Sequence, residues 1–150
     1  MNNKWKNKNF ISALKNALNG VKYTLKTQRN LKIQLIISII VIVISFLLKI
    51  TYTEWAIIVL VIFMVFFSEL FNTTIEIVVD MITTEYNESA KIAKDIAAGA
   101  VTLVSFASVI IGILIFLPKI LEIAWNNWFM GKKIINNIVK GVTYEKRKKE

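Results

Sequence analysis

Three stretches of the sequence carry no charged residue: residues 33–48, 55–68 and 96–118. A helix rises about 1.5 Å per residue, so about 20 apolar residues cross the hydrocarbon core of a bilayer. A lone strand cannot satisfy its backbone groups in lipid, so these stretches favour helices. The pattern predicts three membrane-spanning helices at about Leu31–Leu48, Trp55–Met81 and Ile92–Leu117, with a short turn at 50–54, a polar link at 82–91 and Pro118 at the end of the third span.

The residues before the first span follow a helical period. Apolar residues recur at helical spacing, and polar ones fall on the opposite side. The apolar set is Phe10, Leu14, Leu18, Val21 and Leu25, and the polar set is Lys15, Asn19, Lys22 and Lys26. This pattern predicts an amphipathic helix with a basic face, lying in the membrane interface. A soluble helix packed on a protein core is the alternative, but the remaining sequence offers no soluble core for it to cover.

The segment after Pro118 is basic and rich in aromatic residues, with Trp125, Trp128 and the pair Lys132–Lys133. Its apolar part is too short to span a bilayer. It is interpreted as an interfacial segment followed by a solvated basic end, for which disorder is one interpretation. The chain thus divides into a basic N-terminal region (1–30), a three-span membrane core (31–118) and a C-terminal extension (119–150).

Composition supports a membrane protein and excludes several other classes. Hydrophobic residues make up 55% of the 150, charged residues only 19%, and the mean hydropathy is +0.56. The absence of cysteine and histidine excludes disulfides, thiolate metal sites and the commonest general base. A secretory signal peptide is not expected, because the first apolar run starts late and no small-residue cleavage site follows it.

The net charge of +9 is unevenly distributed, because basic residues concentrate at both ends and acidic ones near the spans. Basic flanks around apolar spans suit anionic lipid headgroups, so nucleic acid is not the expected partner. The first 34 residues contain no acid, so the N-terminus and the link are expected on the cytoplasmic side of the membrane. With three spans, the basic C-terminal extension then lies outside the cytoplasm, against the usual bias of positive charge.

An acidic stripe runs along the second span, because Glu69, Asn72, Glu76 and Asp80 share one face of a helix. A charged residue at membrane depth costs about 2.5 kcal/mol or more and usually serves a function. Solvation at a helix end is an alternative, most plausible for Asp80. The stripe suits either Mg²⁺ coordination or proton and ion transport.

Lys94 and Asp95 begin the third span beside the link. A lysine there can hold a phosphate, and metal-binding acids with such a lysine are the minimal equipment for phosphoryl transfer. The sequence has neither a P-loop nor a kinase glycine loop.

These residues form part of a longer pattern. It reads E-L-F-N-T-T-I-E-I-V-V-D over residues 69–80, E-Y at 85–86 and A-K-I-A-K-D-I-A-A-G-A-V over residues 90–101. It resembles the signature of the small prokaryotic diacylglycerol kinase family, which includes the undecaprenol kinases. The resemblance implies an all-α integral membrane homotrimer, with a surface helix and three spans per chain. It also implies ATP- and Mg²⁺-dependent phosphorylation of a lipid hydroxyl at the cytoplasmic side of the membrane.

The resemblance also implies roles for individual residues. Glu69 would be the base that takes the proton of the lipid alcohol, and Asn72 would position the reacting groups. Glu76 would hold the metal that bridges the ATP phosphates, and Lys94 would contact those phosphates. The nucleotide would be held by Asp95 with Glu85, Tyr86 and Asn87.

Two positions depart from the family pattern. Gln28 stands where the family usually has a glutamate that shares the metal and nucleotide site with Glu76. An amide oxygen can ligate Mg²⁺ but carries no charge, so a weaker metal site is expected. Asn87 stands where many members have histidine, which puts one nucleotide contact in doubt.

The stretch R-N-L-K-I-Q at 29–34 and the pair Glu54–Trp55 resemble the undecaprenol kinase branch. A polyprenol is therefore favoured over diacylglycerol as the substrate. Three other hypotheses stay open: a small oligomeric ion transporter that uses Glu69 and Glu76, a non-catalytic membrane assembly protein, and a family member weakened by Gln28.

Overall fold

A computed structural model of the chain describes residues 9–147, with side chains described through Gly141. The first eight and the last three residues lie outside this range, and so do the parts of the two basic terminal regions that they form. The described part is helical and contains no strand, as the sequence predicts. Its four helices are α1 (Phe10–Thr27), α2 (Arg29–Leu47), α3 (Tyr52–Ile82) and α4 (Glu88–Arg147).

A single residue in extended conformation, Gln28 with φ −90° and ψ 120°, separates α1 from α2. The start of α1 is fixed by a capping box, in which Asn9 Oδ1 accepts from Ser12 N at 2.8 Å and Ser12 Oγ accepts from Asn9 N at 3.2 Å. Gln28 ends α1 and caps α2 with its backbone alone. The side chain of Gln28 therefore projects from a joint between two helices.

The connection between α2 and α3 is shorter than the sequence predicts, because α3 already begins at Tyr52. A second capping box fixes this start. Thr51 N donates to Glu54 Oε2 at 2.6 Å, and Glu54 N donates to Thr51 Oγ1 at 3.3 Å. Glu54, which carries part of the resemblance to the undecaprenol kinases, therefore has a structural role at the end of a helix.

Helix α4 differs most from prediction. Its first residue is Glu88, so the polar link shrinks to residues 83–87. The prediction that the helix ends at Pro118 is wrong, because α4 continues through Pro118 to Arg147. Proline lacks an N–H and its ring crowds the carbonyl four residues earlier, so the hydrogen bond to the carbonyl of Leu114 is lost, yet the helix continues on both sides of this point.

Helices α1, α2 and α3 pack against one another. Where they meet, small hydroxyl side chains are buried and donate to the carbonyl four residues earlier: Ser38 to Gln34 and Ser45 to Val41, each at 2.8 Å, and Thr73 to Glu69 at 2.9 Å. Small residues allow close helix contact, and these internal bonds leave no unsatisfied hydroxyl in an apolar setting.

Three described helices are long and apolar enough to cross a membrane: Arg29–Leu47, Tyr52–Ile82 and Glu88–Gly141. Large apolar side chains are exposed along all of them, such as Ile36, Phe63 and Leu103. A bilayer accommodates such surfaces, and the chain is a membrane protein. Its contacts divide it into two units, Met1–Ile110 and Ile111–Glu150, and the residues of the candidate site all belong to the first.

Candidate active site

Glu69 is a buried carboxylate in the middle of α3, with 1% of its surface exposed. Gln34 of α2 donates from Nε2 to Glu69 Oε2 in a long hydrogen bond of 3.4 Å. Asn30, one turn earlier on α2, also interacts with Glu69 through its side chain. Both partners are neutral amides. The carboxylate is thus oriented by hydrogen bonds while no cation of residues 9–141 is paired with it, and it keeps lone pairs for a further proton donor.

Glu76 lies two turns further along the same face of α3, about 10 Å from Glu69 along the axis. Two amides donate to its carboxylate. Asn72 Nδ2 bonds to Oε1 at 3.1 Å, and Gln28 Nε2 bonds to Oε2 at 3.4 Å. The structure thus brings Gln28 together with Glu76, across 48 residues of sequence, and it places Asn72 between Glu69 and Glu76.

The donor atoms around Glu76 suit a hard divalent cation. Among the described residues, no group of three or more Asp, Glu, His or Cys side chains could hold a metal ion. The Oδ1 atom of Asn72 is buried and has no hydrogen-bond partner. Mg²⁺ is commonly bound by one or two carboxylates together with phosphate oxygens and water. One carboxylate with the amide oxygens of Asn72 and Gln28 therefore fits a metal held jointly with a nucleotide.

A pocket of about 520 Å³ lies where α3 passes into α4. It gathers five residues predicted to bind the nucleotide, namely Glu85, Tyr86, Asn87, Lys94 and Asp95. Its other lining residues are Val79, Asp80, Thr83, Thr84, Ala90 and Lys91. Asn87 also caps α4, because its Oδ1 accepts from Ala90 N at 3.0 Å. The pocket therefore opens at the N-terminal end of α4, where the helix dipole favours anions.

Two ion pairs line this pocket. Lys94 Nζ contacts Asp80 Oδ1 at 2.5 Å, and Lys91 Nζ contacts Asp95 Oδ2 at 2.6 Å. All four side chains are substantially exposed. Lys94 and Asp95, the two residues of α4 predicted to bind the nucleotide, thus each have a partner of opposite charge within the chain. A bound nucleotide would have to replace these partners.

The partners of these ion pairs were not predicted from the sequence. The spacing of Lys91 and Asp95, four residues apart on one helix, is a signal that could have revealed their pairing. Lys94 and Asp80 belong to different helices, so no local spacing indicates that they meet.

A second cavity, a groove of about 470 Å³, lies between α2 and α4. It begins at Asn30 and Gln34, the two amides that contact Glu69. The other lining residues are Ile33, Val101, Thr102, Ser105, Phe106 and Val109. Gln34 Oε1 is buried without a hydrogen-bond partner. The groove is thus largely apolar, with polar atoms at the end that approaches Glu69.

Asn30 and Gln34 received no site role from the sequence. They fall within the R-N-L-K-I-Q stretch, whose resemblance to the undecaprenol kinases bears on the substrate and not on the site. They are neutral amides close in sequence to the charged Arg29 and Lys32, and their spacing gives no chemical signal. Only the packing of α2 on α3 shows that they face Glu69.

Comparison with known proteins identifies the family of the chain. The sequence matches the prokaryotic diacylglycerol kinase family over residues 15–116. It is 42% identical to an undecaprenol kinase of Bacillus subtilis over 111 residues, which cover 74% of this chain and 90% of that protein. It is 40% identical to a diacylglycerol kinase of Synechocystis over 116 residues, which cover 77% of this chain and 66% of that protein. Glu69, Glu76 and the pocket at the start of α4 all lie within the matched region, and the chain belongs to the prokaryotic diacylglycerol kinase family of lipid kinases.

Proposed function

We propose that this lipid kinase transfers the γ-phosphate of ATP to the hydroxyl of undecaprenol, in an Mg²⁺-dependent reaction at the cytoplasmic side of the membrane. The observation that carries the proposal is the order of groups along one face of α3. A buried carboxylate beside an apolar groove comes first, then a carboxylate with amide oxygens, then a pocket in which Lys91 and Lys94 are paired with acids. A lipid hydroxyl, a metal-bound phosphate chain and a nucleotide need these environments in this order.

The acceptor side is supported by the groove at Gln34. An isoprenoid or acyl chain fits its apolar walls, and the chain's terminal hydroxyl would lie at the polar end. Gln34 Oε1, which has no partner, can accept a hydrogen bond there. Glu69 stands beside it as the proton acceptor, held by Gln34 Nε2.

The nucleotide side is supported by the ion pairs of the pocket. An exposed ion pair contributes only about 0–1 kcal/mol, so a phosphate can displace Asp80 from Lys94 at little cost. Charge-assisted hydrogen bonds to phosphate are stronger than neutral ones. Lys94 is therefore a cation that Asp80 holds in place until the nucleotide arrives.

The reaction balances with these groups. Glu69 accepts the proton of the lipid hydroxyl, and the hydroxyl oxygen forms a bond to the γ-phosphorus. The bond between that phosphorus and the β–γ bridging oxygen breaks, and ADP leaves. Mg²⁺, when bound with the nucleotide, would neutralise charge on the phosphates. Glu76 would hold it, with Asn72 and Gln28 turning their amide oxygens toward it.

Undecaprenol is proposed over diacylglycerol because residues 29–34 resemble the undecaprenol kinase branch, and the Bacillus subtilis relative with that name is matched over most of its length. A homotrimer is proposed because the resemblance to the prokaryotic diacylglycerol kinase family implies one. The basic, acid-free N-terminal region supports a cytoplasmic site.

The test is phosphate transfer from radiolabelled Mg-ATP to undecaprenol and to diacylglycerol, measured side by side with the purified protein in detergent micelles. We expect faster labelling of undecaprenol and loss of labelling with EDTA. Glu122→Gln is the control for the inactive variant Glu69→Gln, since Glu122 lies outside the site. Faster labelling of diacylglycerol would overturn the assignment of undecaprenol as the substrate. Labelling of neither lipid would overturn the proposed activity.

A further inference from the structure

The part of α4 beyond Pro118 lies outside the region that matches the family, which ends at residue 116. Its side chains are described from Lys119 to Gly141, and we call this stretch the C-terminal helix segment. It belongs to the second unit of the chain and takes no part in the site. Its surface therefore requires a separate explanation.

One side of the segment is apolar and exposed. Apolar residues recur at a spacing of three or four and are about half exposed. They are Ile120, Ile123, Ile134, Ile138 and, beside them, Leu121, Trp128, Ile135 and Val139. The polar residues Glu122, Asn126, Lys133, Asn137 and Lys140 follow the opposite side, which also carries Phe129, and Asn127 is the polar residue within the apolar side. The segment is amphipathic, and its polar residues interrupt the sequence too often for it to span a bilayer.

Aromatic and basic side chains meet along the edge between the two sides. The rings of Trp125 and Trp128 are 5.4 Å apart, and Lys132 Nζ lies 5.0 Å from the centre of the Trp128 ring. Tryptophan next to lysine is the combination enriched at membrane–water boundaries, where the ring sits at headgroup level and the ammonium reaches water.

A shallow groove of about 330 Å³ runs along the polar edge. Three lysines and two asparagines line it with one aromatic ring, and its described lining contains no acid. These are Lys132, Lys133, Lys140, Asn136, Asn137 and Phe129. Three ammonium groups with amide donors form a surface complementary to phosphate groups, and the apolar side next to them is complementary to acyl chains.

We propose that the C-terminal helix segment lies on the surface of a bilayer that contains anionic phospholipids. Its isoleucines enter the acyl region, Trp125 and Trp128 lie at headgroup level, and Lys132, Lys133 and Lys140 contact the lipid phosphates. Pro118 permits the change of direction that this requires, since a proline within a helix is a common site of bending. The occupant is a lipid surface because acyl chains and phosphates together match both sides of the segment.

The absence of cysteine allows a direct test in the full-length protein. Single cysteines are introduced as Ile138→Cys on the apolar side and Asn137→Cys on the polar side, and each carries a spin label. The protein is placed in nanodiscs of phosphatidylcholine, with or without phosphatidylglycerol. With phosphatidylglycerol we expect the label at 138 to be accessible to oxygen and shielded from a water-soluble nickel complex, and the label at 137 to show the reverse.

The lysines are tested by the triple variant Lys132→Gln, Lys133→Gln and Lys140→Gln. Each lysine near an anionic surface contributes about a fivefold factor, so the ratio of lipid-bound to water-exposed label should fall roughly 100-fold. The matched control Lys15→Gln, Lys22→Gln and Lys26→Gln removes the same charge from α1 and should leave the label at 138 unchanged.

Three outcomes would overturn the proposal. The label at 138 could enter lipid equally without phosphatidylglycerol, which would remove the role of the lysines. It could stay exposed to the nickel complex in both membranes. It could also show spin–spin broadening without lipid contact, which would mean that the apolar side packs against a second copy of the chain.

Discussion

The two halves of the candidate site hold their carboxylates in opposite ways. Along the middle of α3, Glu69 is buried and receives hydrogen bonds from neutral amides. In the pocket where α4 begins, the Asp80 and Lys94 side chains are 65% and 39% exposed and form a direct ion pair. One half thus has uncompensated acids in a low dielectric, and the other has compensated charges in water.

This difference reflects the chemistry that each half of the site would perform. A buried acid beside a fixed cation would be neutralised and lose its use as a proton or metal acceptor. Amides orient the carboxylate without neutralising it. In water the opposite holds, because an exposed ion pair is weak enough to be exchanged for a phosphate. The comparison predicts graded effects of mutation.

The largest effect is expected for Glu69→Gln, which preserves shape and removes the proton acceptor. General-base catalysis contributes about 10²–10⁴-fold, so phosphate transfer should fall by at least roughly 100-fold. Oligomer size, measured by size-exclusion chromatography with light scattering, should not change. Retention of full activity would exclude Glu69 as the base. The control Glu122→Gln measures the effect on activity of neutralising an acid outside the site.

A smaller effect is expected for Lys94→Met, which removes the cation from the pocket. A hydrogen bond to a charged group contributes about 1.5–3 kcal/mol, so the KM for ATP should rise roughly 10- to 100-fold. The matched variant Lys91→Met loses only the exposed pair with Asp95 and should raise KM a fewfold. Equal effects of the two variants would show that the pocket responds to its total charge rather than to Lys94.

Gln28→Glu tests the amide beside Glu76. A second carboxylate there should lower the Mg²⁺ concentration for half-maximal activity about tenfold, because the metal would face two charges. Without Mg²⁺ the two like charges should lower the melting temperature, and Mg²⁺ should restore it. Gln28→Met, which offers neither donor nor charge, is the control. An unchanged Mg²⁺ dependence in Gln28→Glu would remove position 28 from the metal site.

The smallest effect concerns the start of α4. Asn87→Ala removes the N-cap and should cost about 1 kcal/mol of stability, whereas Asn87→Asp keeps the acceptor and should cost less. Thermal unfolding in detergent measures both. If the two variants unfold at the same temperature, the cap does not stabilise this end of the pocket.

Much of the fold follows from local patterns that the sequence displays directly. The uncharged stretches predict the helical spans. The capping boxes at Asn9 and Thr51 fix two helix starts that the apolar pattern does not indicate. The end of α4 was predicted wrongly, because Pro118 was taken as a stop. A proline can bend a helix without ending it, and α4 continues through Pro118.

The sequence by itself determined that Glu69, Asn72 and Glu76 share a face, because the helical period depends only on spacing along the chain. Only the tertiary structure placed Gln34 against Glu69 and joined Lys94 to Asp80. These contacts span 35 and 14 residues and cross between helices. They depend on how each helix is rotated and where it ends, and packing decides both.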